Sequence, residues 1–182
     1  MKKILMCLVA LATVCFSGCT PTAEQINKTA SSIGYAAGLV ANKVNIKDDA
    51  RNAIVSVLND VRGCIPIEGQ SFEDAWKPVI AAKVAELVTA GKINAGTGEI
   101  VKAIANMAAK AVDYMFDIRF PKVKPYEELV RAGVSGALDG FLAVFKPVNC
   151  DDCSDCDDCI ARSRAKKDYD KEAYEWFQKN LK

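Results

Sequence analysis

Between Thr22 and Phe145 the apolar residues recur at steps of three and four, and this period is the strongest constraint on the fold. Such spacing gives each segment one apolar helical face that must pack against another element. Proline and glycine residues punctuate the pattern, and no convincing strand occurs between them. The sequence therefore predicts an all-α fold, an antiparallel bundle of about five helices joined by short turns.

Local signals place the starts of these helices. Residues that cap helix N-termini precede four of them: Thr22, Asp48, Ser71 and either Asn94 or Thr97. Thr22 and Gln25 have the spacing of a capping box. Pro78 is expected to kink the third helix or to restart it. The fifth helix is predicted from about Tyr126 to Phe145, and its nearly all-round apolar surface is typical of a helix at the centre of a core.

Glycines recur on two of these helices. Gly34 and Gly38 lie on the first helix, and Gly133, Gly136 and Gly140 lie on the fifth. A glycine in a helix interior costs about 1 kcal/mol relative to alanine, so a repeated glycine needs a reason. Close approach of two helices is such a reason. We therefore expect Gly34, and Gly136 or Gly140, at helix–helix contacts inside the bundle.

The first residues have a different character. Lys2 and Lys3 are followed by an apolar run from Ile4 into Phe16-Ser17-Gly18-Cys19. The run is long enough for a secretory signal and shorter than the roughly 18 residues that a membrane-spanning helix needs. Ser17 and Gly18 are small enough for a peptidase cleft. The segment therefore predicts export and cleavage just before Cys19.

Phe16-Ser17-Gly18-Cys19 resembles the lipobox of bacterial lipoprotein precursors, in which an aliphatic and two small residues precede an invariant cysteine. Phe16 stands where that family usually has leucine. The resemblance implies that Cys19 receives a diacylglycerol and often a further acyl chain such as palmitate. Thr20, rather than aspartate, follows Cys19, which resembles the outer-membrane default and places the domain on the periplasmic side in a host with two membranes. The alternative is an ordinary cleaved signal peptide with a soluble product.

These features divide the chain of 182 residues into four parts. Residues 1–18 are predicted as the signal peptide and residues 19–22 as a lipidated tether. Residues 23–148 form the helical bundle. Residues 149–182 form a segment rich in cysteine and aspartate, followed by a short amphipathic C-terminal helix.

The run Cys150-Asp151-Asp152-Cys153-Ser154-Asp155-Cys156-Asp157-Asp158-Cys159 allows several chemistries. Export to an oxidising compartment favours disulfides. Four thiolates also suit a soft metal such as zinc or copper(I), although structural zinc sites usually separate two cysteine pairs by a longer loop. An iron–sulfur cluster is a weaker alternative, because Cys159 comes one residue early for the ferredoxin pattern. A reactive thiol pair is the remaining possibility.

Cys64, a cysteine in the bundle, bears on whether the cysteines of the run form disulfides. With Cys19 lipidated and the signal removed, Cys64 and the four cysteines of the run remain, and an odd number cannot all pair within one chain. Cys64 follows the second helix, and Cys150 follows the fifth. We therefore predict a disulfide between Cys64 and one cysteine of the run, with Cys150 as first choice. The alternative is that Cys64 is a buried small hydrophobe.

The sequence has no histidine, which removes the commonest general base and metal ligand. It also has no phosphate-binding glycine loop and no nucleophile elbow, so no enzymatic activity is expected. The whole chain carries a net charge of +1, which becomes about −1 when Lys2 and Lys3 leave with the signal peptide, and nucleic acid is not an expected partner.

The sequence thus indicates a membrane-anchored, non-enzymatic helical lipoprotein of the bacterial cell envelope with a structural or protein-interaction role. Its expected partners are the membrane, through the lipid on Cys19, and an envelope protein of unknown identity. No cofactor is expected beyond that lipid and a possible soft metal ion at the run. The alternatives are a thiol-based metal-binding lipoprotein and a prophage-encoded lipoprotein of superinfection exclusion, which gene neighbourhood would test.

Overall fold

The computed structural model describes residues 21–43, 46–67, 70–124, 126–145 and 170–180. Within these ranges the secondary structure is helical, with no strand. The α-helices are α1 (Ala23–Ala41), α2 (Asp48–Val61), α3 (Phe72–Thr89), α4 (Ala95–Tyr114), α5 (Glu127–Leu142) and α6 (Lys171–Asn180). The all-α prediction, with five main helices and a short C-terminal one, is confirmed.

Helix starts follow local capping chemistry closely. Thr22 Oγ1 accepts the N–H of Gln25 at 3.2 Å while Gln25 Oε1 accepts the N–H of Thr22 at 3.0 Å, so the predicted capping box is present. Ser71 caps α3, as the sequence predicts, and of the two candidates Asn94 and Thr97 it is Asn94 that caps α4. The prediction for α2 is wrong by one residue, because Lys47 is the N-cap and Asp48 is the first helical residue. There Asp48 still lies in the first turn, where a negative charge is favourable.

The structure decides one alternative that the sequence left open and shows one feature that the sequence did not indicate. One continuous helix, α3, runs through Pro78, so the proline does not restart it. The fourth helix does not continue as α-helix to its end but widens into a π-helical turn, Met115–Arg119. Single π-turns of this kind often lie next to functional positions. Met115 and Phe116 are fully buried there, and both side chains reach Gly133 on α5.

The helices pack as two closely associated pairs joined by α4. The most extensive contact is between α1 and α5, and the next is between α3 and α4. α4 also contacts α1, α2 and α5, so it joins the two pairs, while α6 packs on α1. Lys110 of α4 reaches Glu73 at the start of α3, and Gly98 at the start of α4 lies against Val84 in the second half of α3. α3 and α4 are therefore antiparallel.

The core between the pairs contains an aromatic cluster. Phe72 stacks on Phe116 with ring centroids 5.5 Å apart and meets Trp76 edge-on at 5.5 Å. Trp76 and Phe116 are completely buried. Offset and edge-on ring pairs contribute about 0.5–1.5 kcal/mol beyond the area they bury. This cluster fixes the start of α3 against the end of α4.

Candidate functional site

Cys64 is the one predicted site residue within the described ranges. It is half-buried just after α2, and its thiol lies 3.8 Å from the Asp60 carbonyl oxygen. Its own carbonyl accepts the indole N–H of Trp76 at 2.7 Å. Because Trp76 is completely buried, this bond holds the backbone of Cys64 against the core. Cys64 is therefore fixed in position with its thiol near the surface.

The other predicted site residues, Cys19, Cys150, Cys153, Cys156 and Cys159, lie outside the described residues. Cys64 forms no disulfide to any described residue. Its pairing with the run stays a prediction, as does lipid attachment at Cys19. Over the described ranges no cluster of three or more histidine, cysteine, aspartate or glutamate residues is suited to hold a metal ion.

Glycines bring the backbones of α1 and α5 into direct contact, as the sequence predicts. A Cβ atom built on Gly34 would lie 2.7 Å from the carbonyl carbon of Ala137. A Cβ on Gly140 would lie 2.7 Å from the carbonyl carbon of Ser31. Real Cβ atoms do not approach backbone so closely, so only glycine fits at both positions. We call this contact of Gly34 and Gly140 with the facing helix the α1–α5 seam. In it, backbone packs directly against backbone.

The register of the α1–α5 seam shows that the two helices run in the same direction. Ile26 lies against Gly133 near the start of both helices, and the Asn27 amide donates to the Ala132 carbonyl at 3.1 Å. Gly38 and Phe141 meet near the other end. The first and fifth helices of an alternating bundle are expected to be parallel. Both helices therefore begin at one end of the bundle, which we call the Thr22 end after the cap of α1.

A compact link leads from the π-turn to the Thr22 end, and the structure describes its residues 120–124 and 126. The N–H of Val123 bonds the Phe120 carbonyl at 3.0 Å, and the N–H of Tyr126 bonds the Val123 carbonyl at 2.8 Å. Val123 is buried. Lys124 pairs with Asp117 of the π-turn. The link is therefore held in shape by backbone hydrogen bonds and by one buried side chain.

Helix α6 is attached at both of its ends. Arg119 pairs with Asp170, and it reaches Glu172 at 3.0 Å. Asp170 also accepts the N–H of Ala173 at 2.9 Å, so it caps α6 while it binds Arg119. Burial lowers the pKa of the Arg119 guanidinium, but Asp170, with smaller contributions from Tyr114 and Glu172, more than offsets this, and the pKa is raised above its ordinary value.

Aromatic contacts hold the other end of α6. Tyr114 lies 4.8 Å from Trp176 and 5.3 Å from Phe177, ring centroid to ring centroid. Phe177 is fully buried. Burial raises the pKa of the Tyr114 hydroxyl. A helix as short as α6 is marginal on its own, so these contacts are what keep it folded.

Asp113 caps α3 from a different helix. Its two carboxylate oxygens accept the N–H groups of Phe72 at 2.7 Å and of Glu73 at 3.0 Å. Burial raises the pKa of the Asp113 carboxyl, while the two backbone bonds act to lower it, and the net shift is upward. The Asp113 carboxylate lies at the N-terminus of α3, where the positive end of the helix dipole favours a negative charge.

A second polar cluster joins the end of α2 to two polar residues of α5. The Arg62 guanidinium donates to Ser135 Oγ at 2.9 Å and to Asp139 at 2.6 Å. Like Asp113 and Arg119, Arg62 was not singled out by the sequence pattern. A charged residue whose partner is distant in the chain leaves no local signal, so spacing alone could not have found these pairs.

None of the helices in the described ranges is long and apolar enough to cross a bilayer. Comparison with protein-family models, with curated proteins and with solved structures found no match.

Proposed function

We propose that this protein is a non-enzymatic, lipid-anchored lipoprotein of the bacterial cell envelope, which acts by contact with another envelope component. The observation that carries the proposal is Cys19 at the end of a lipobox, behind a basic start and an apolar run. Two or more acyl chains hold a protein stably at a membrane without any spanning helix. In a host with two membranes, Thr20 after Cys19 supports an outer-membrane position facing the periplasm.

The geometry of α1 supports this proposal. Cys19 precedes Thr22, the N-cap of α1, by only three positions. The anchor and the folded domain would therefore be nearly continuous, with almost no flexible linker between them. The absence of histidine from the chain favours a contact or scaffold role over catalysis.

The test is metabolic labelling with a radioactive fatty acid. Wild-type protein is expected to incorporate label, and Cys19→Ser is expected to lose it and to accumulate as a precursor or a soluble species. Cys64→Ser is the matched control, because it removes one thiol from the folded domain and should leave labelling unchanged. Equal incorporation in wild type and Cys19→Ser would refute lipid attachment at this residue.

The four thiols of the cysteine run support a second candidate, a lipoprotein that binds a soft metal through Cys150, Cys153, Cys156 and Cys159. Thiolates are the ligands that zinc and copper(I) prefer. Elemental analysis of the purified protein separates the two candidates. Metal in stoichiometric amount, lost in a variant with Cys153 and Cys156 replaced by serine, would favour the metal-binding role.

A further inference from the structure

Large apolar side chains are exposed on both sides of the link before α5. Ile118 is 53% exposed at the end of the π-turn, and Tyr126 is 52% exposed at the start of α5. The exposed cations Lys122 and Lys124 lie between them in the chain. Tyrosine with lysine at an apolar surface is typical of the boundary between lipid headgroups and acyl chains. We call Ile118, Lys122 and Tyr126 the link surface.

The link surface leads to the end of the bundle where the lipid would be attached. Tyr126 is the N-cap residue of α5, as Thr22 is of α1. The two helices are parallel, and Ile26 meets Gly133 near their starts. Tyr126 and Thr22 therefore both belong to the Thr22 end.

Covalent geometry limits how far this end can lie from the lipid. Three residue steps join Cys19 to Thr22, and a fully extended chain spans at most about 10 Å over that distance. If Cys19 carries acyl chains, the start of α1 must stay within that reach of the bilayer surface. The Thr22 end is then the part of the bundle held beside the lipid headgroups.

The charges at this end are of both signs: Glu24 and Glu128 are exposed carboxylates there, and Lys122 supplies a local positive charge that suits an anionic surface. Lys124 is paired with Asp117, so Lys122 is the cation of the link surface. Glu127, the first residue of α5, is paired with Arg131 at 2.6 Å and is thereby offset. Lysine residues close to a membrane are attracted to anionic headgroups.

We propose that the Thr22 end rests on the bilayer, with Ile118 and Tyr126 at the headgroup boundary and Lys122 against lipid phosphates. This inference rests on the proposed lipid anchor and adds the orientation of the domain. The contact need not be strong, because a short tether makes it intramolecular and gives it a high effective concentration. α1, which is about 28 Å long at 1.5 Å per residue, then points away from the membrane.

The test uses the full lipidated protein in vesicles of phosphatidylethanolamine and phosphatidylglycerol with brominated acyl chains, which quench nearby tryptophan. In Tyr126→Trp the emission of the added tryptophan should shift to the blue and be largely quenched by the brominated chains. In the control Lys43→Trp, just past the far end of α1, the added fluorescence should be unaffected. Wild-type protein gives the background from Trp76 and Trp176. Ile118→Trp is a second probe of the link surface if Tyr126→Trp does not fold.

Vesicle flotation distinguishes the two possible failures. If the protein does not float with vesicles, the lipid anchor and the orientation both fall. If it floats but the Tyr126→Trp and Lys43→Trp variants are quenched equally, or only Lys43→Trp is quenched, the anchor stands and the orientation is wrong. Lys122→Glu, introduced into the Tyr126→Trp protein, should weaken quenching on these anionic vesicles. Unchanged quenching would show that Lys122 does not contact the lipid.

Discussion

Gly34 faces the backbone of Ala137 so closely that a Cβ atom on it would lie 2.7 Å from the Ala137 carbonyl carbon, and closer still to the oxygen. The obstacle is main chain and not a flexible side chain. A substitution therefore cannot be relieved by a rotamer change and must move one whole helix. At such distances Cα–H groups also contact facing carbonyl oxygens, a weak but recurrent interaction between helices.

Gly34→Ala should destabilise the fold even though alanine is the better helix former. Separation of α1 from α5 is expected to cost about 1–3 kcal/mol, the usual range for overpacking. The midpoint of urea unfolding, followed by circular dichroism, measures it. Gly63→Ala is the control, since nothing lies within 4 Å of a Cβ there. A Gly34→Ala protein as stable as that control would show that the two helices separate at little cost.

Removal of the Arg119 side chain should loosen α6 before the rest of the fold. Asp170 is 10% exposed, so Arg119→Met leaves a nearly buried carboxylate without its ion pair. We expect a loss of about 1 kcal/mol, at the upper end for a partly exposed pair. Amide hydrogen exchange should accelerate in α6 and stay unchanged in α4.

Arg131→Met provides the comparison, because Arg131 pairs with Glu127 on an exposed helix surface. It removes the same charge and should leave α6 exchange unchanged. If both variants behave alike, or if α6 exchanges no faster in Arg119→Met, the aromatic contacts alone hold α6.

Asp113 should make stability depend on pH in the acidic range. Its pKa in the folded protein lies above the ordinary aspartate value of 3.8, so the folded state binds more protons and stability falls as pH rises through that window. Relative to Asp113→Asn, the wild type should gain free energy of unfolding as pH is lowered from neutral to below 3.8.

Urea unfolding of wild type and Asp113→Asn across this pH range gives the difference between their free energies of unfolding. Asp48→Asn removes an exposed carboxylate from the first turn of α2, so it controls for the loss of one negative charge at a helix start. A wild-type advantage that grows with rising pH would mean that the bonds to Phe72 and Glu73 outweigh the cost of burial.

Cys64 is predicted to form a disulfide with one cysteine of the run, Cys150 first. The hydrogen bond from Trp76 fixes the backbone of Cys64, and five residue steps from Phe145 to Cys150 span up to about 17 Å. A disulfide between Cys64 and Cys150 would close a loop of about 87 residues, which contributes roughly 4–5 kcal/mol in the chain-entropy model. Peptide mapping without reduction checks this, and a Cys64 peptide alkylated without reduction would rule it out.

Features with a local signal were predictable from the sequence. The capping box at Thr22 and the caps at Ser71 and Asn94 depend on residues within one helical turn, and all three are present. The glycines of α1 and α5 predicted a close contact for an energetic reason, the cost of glycine in a helix. The parallel pairing of α1 with α5 had no such signal. Whether Ile26 meets Gly133 depends on the course of all the helices between them.

The polar contacts were not predictable for the same reason. Arg119 and Asp170 are 51 positions apart, and Arg62 and Asp139 are 77 apart. In the sequence each resembles a charge on a solvated helix face. The π-turn at Met115 also lacks a sequence signal, since the apolar spacing continues through it.

The α1–α5 seam also sets the order in which the fold can form. Asn27 and Ala132 are hydrogen-bonded across 105 positions, so α1 leaves the ribosome well before its main partner α5. Loop closure over that distance must precede any gain from the contact. α3 and α4 can pair locally at an early stage, whereas α1 has to wait until α5 has been made. Until then the chain stays incompletely folded, the state in which a polypeptide can still be threaded through a narrow export pore.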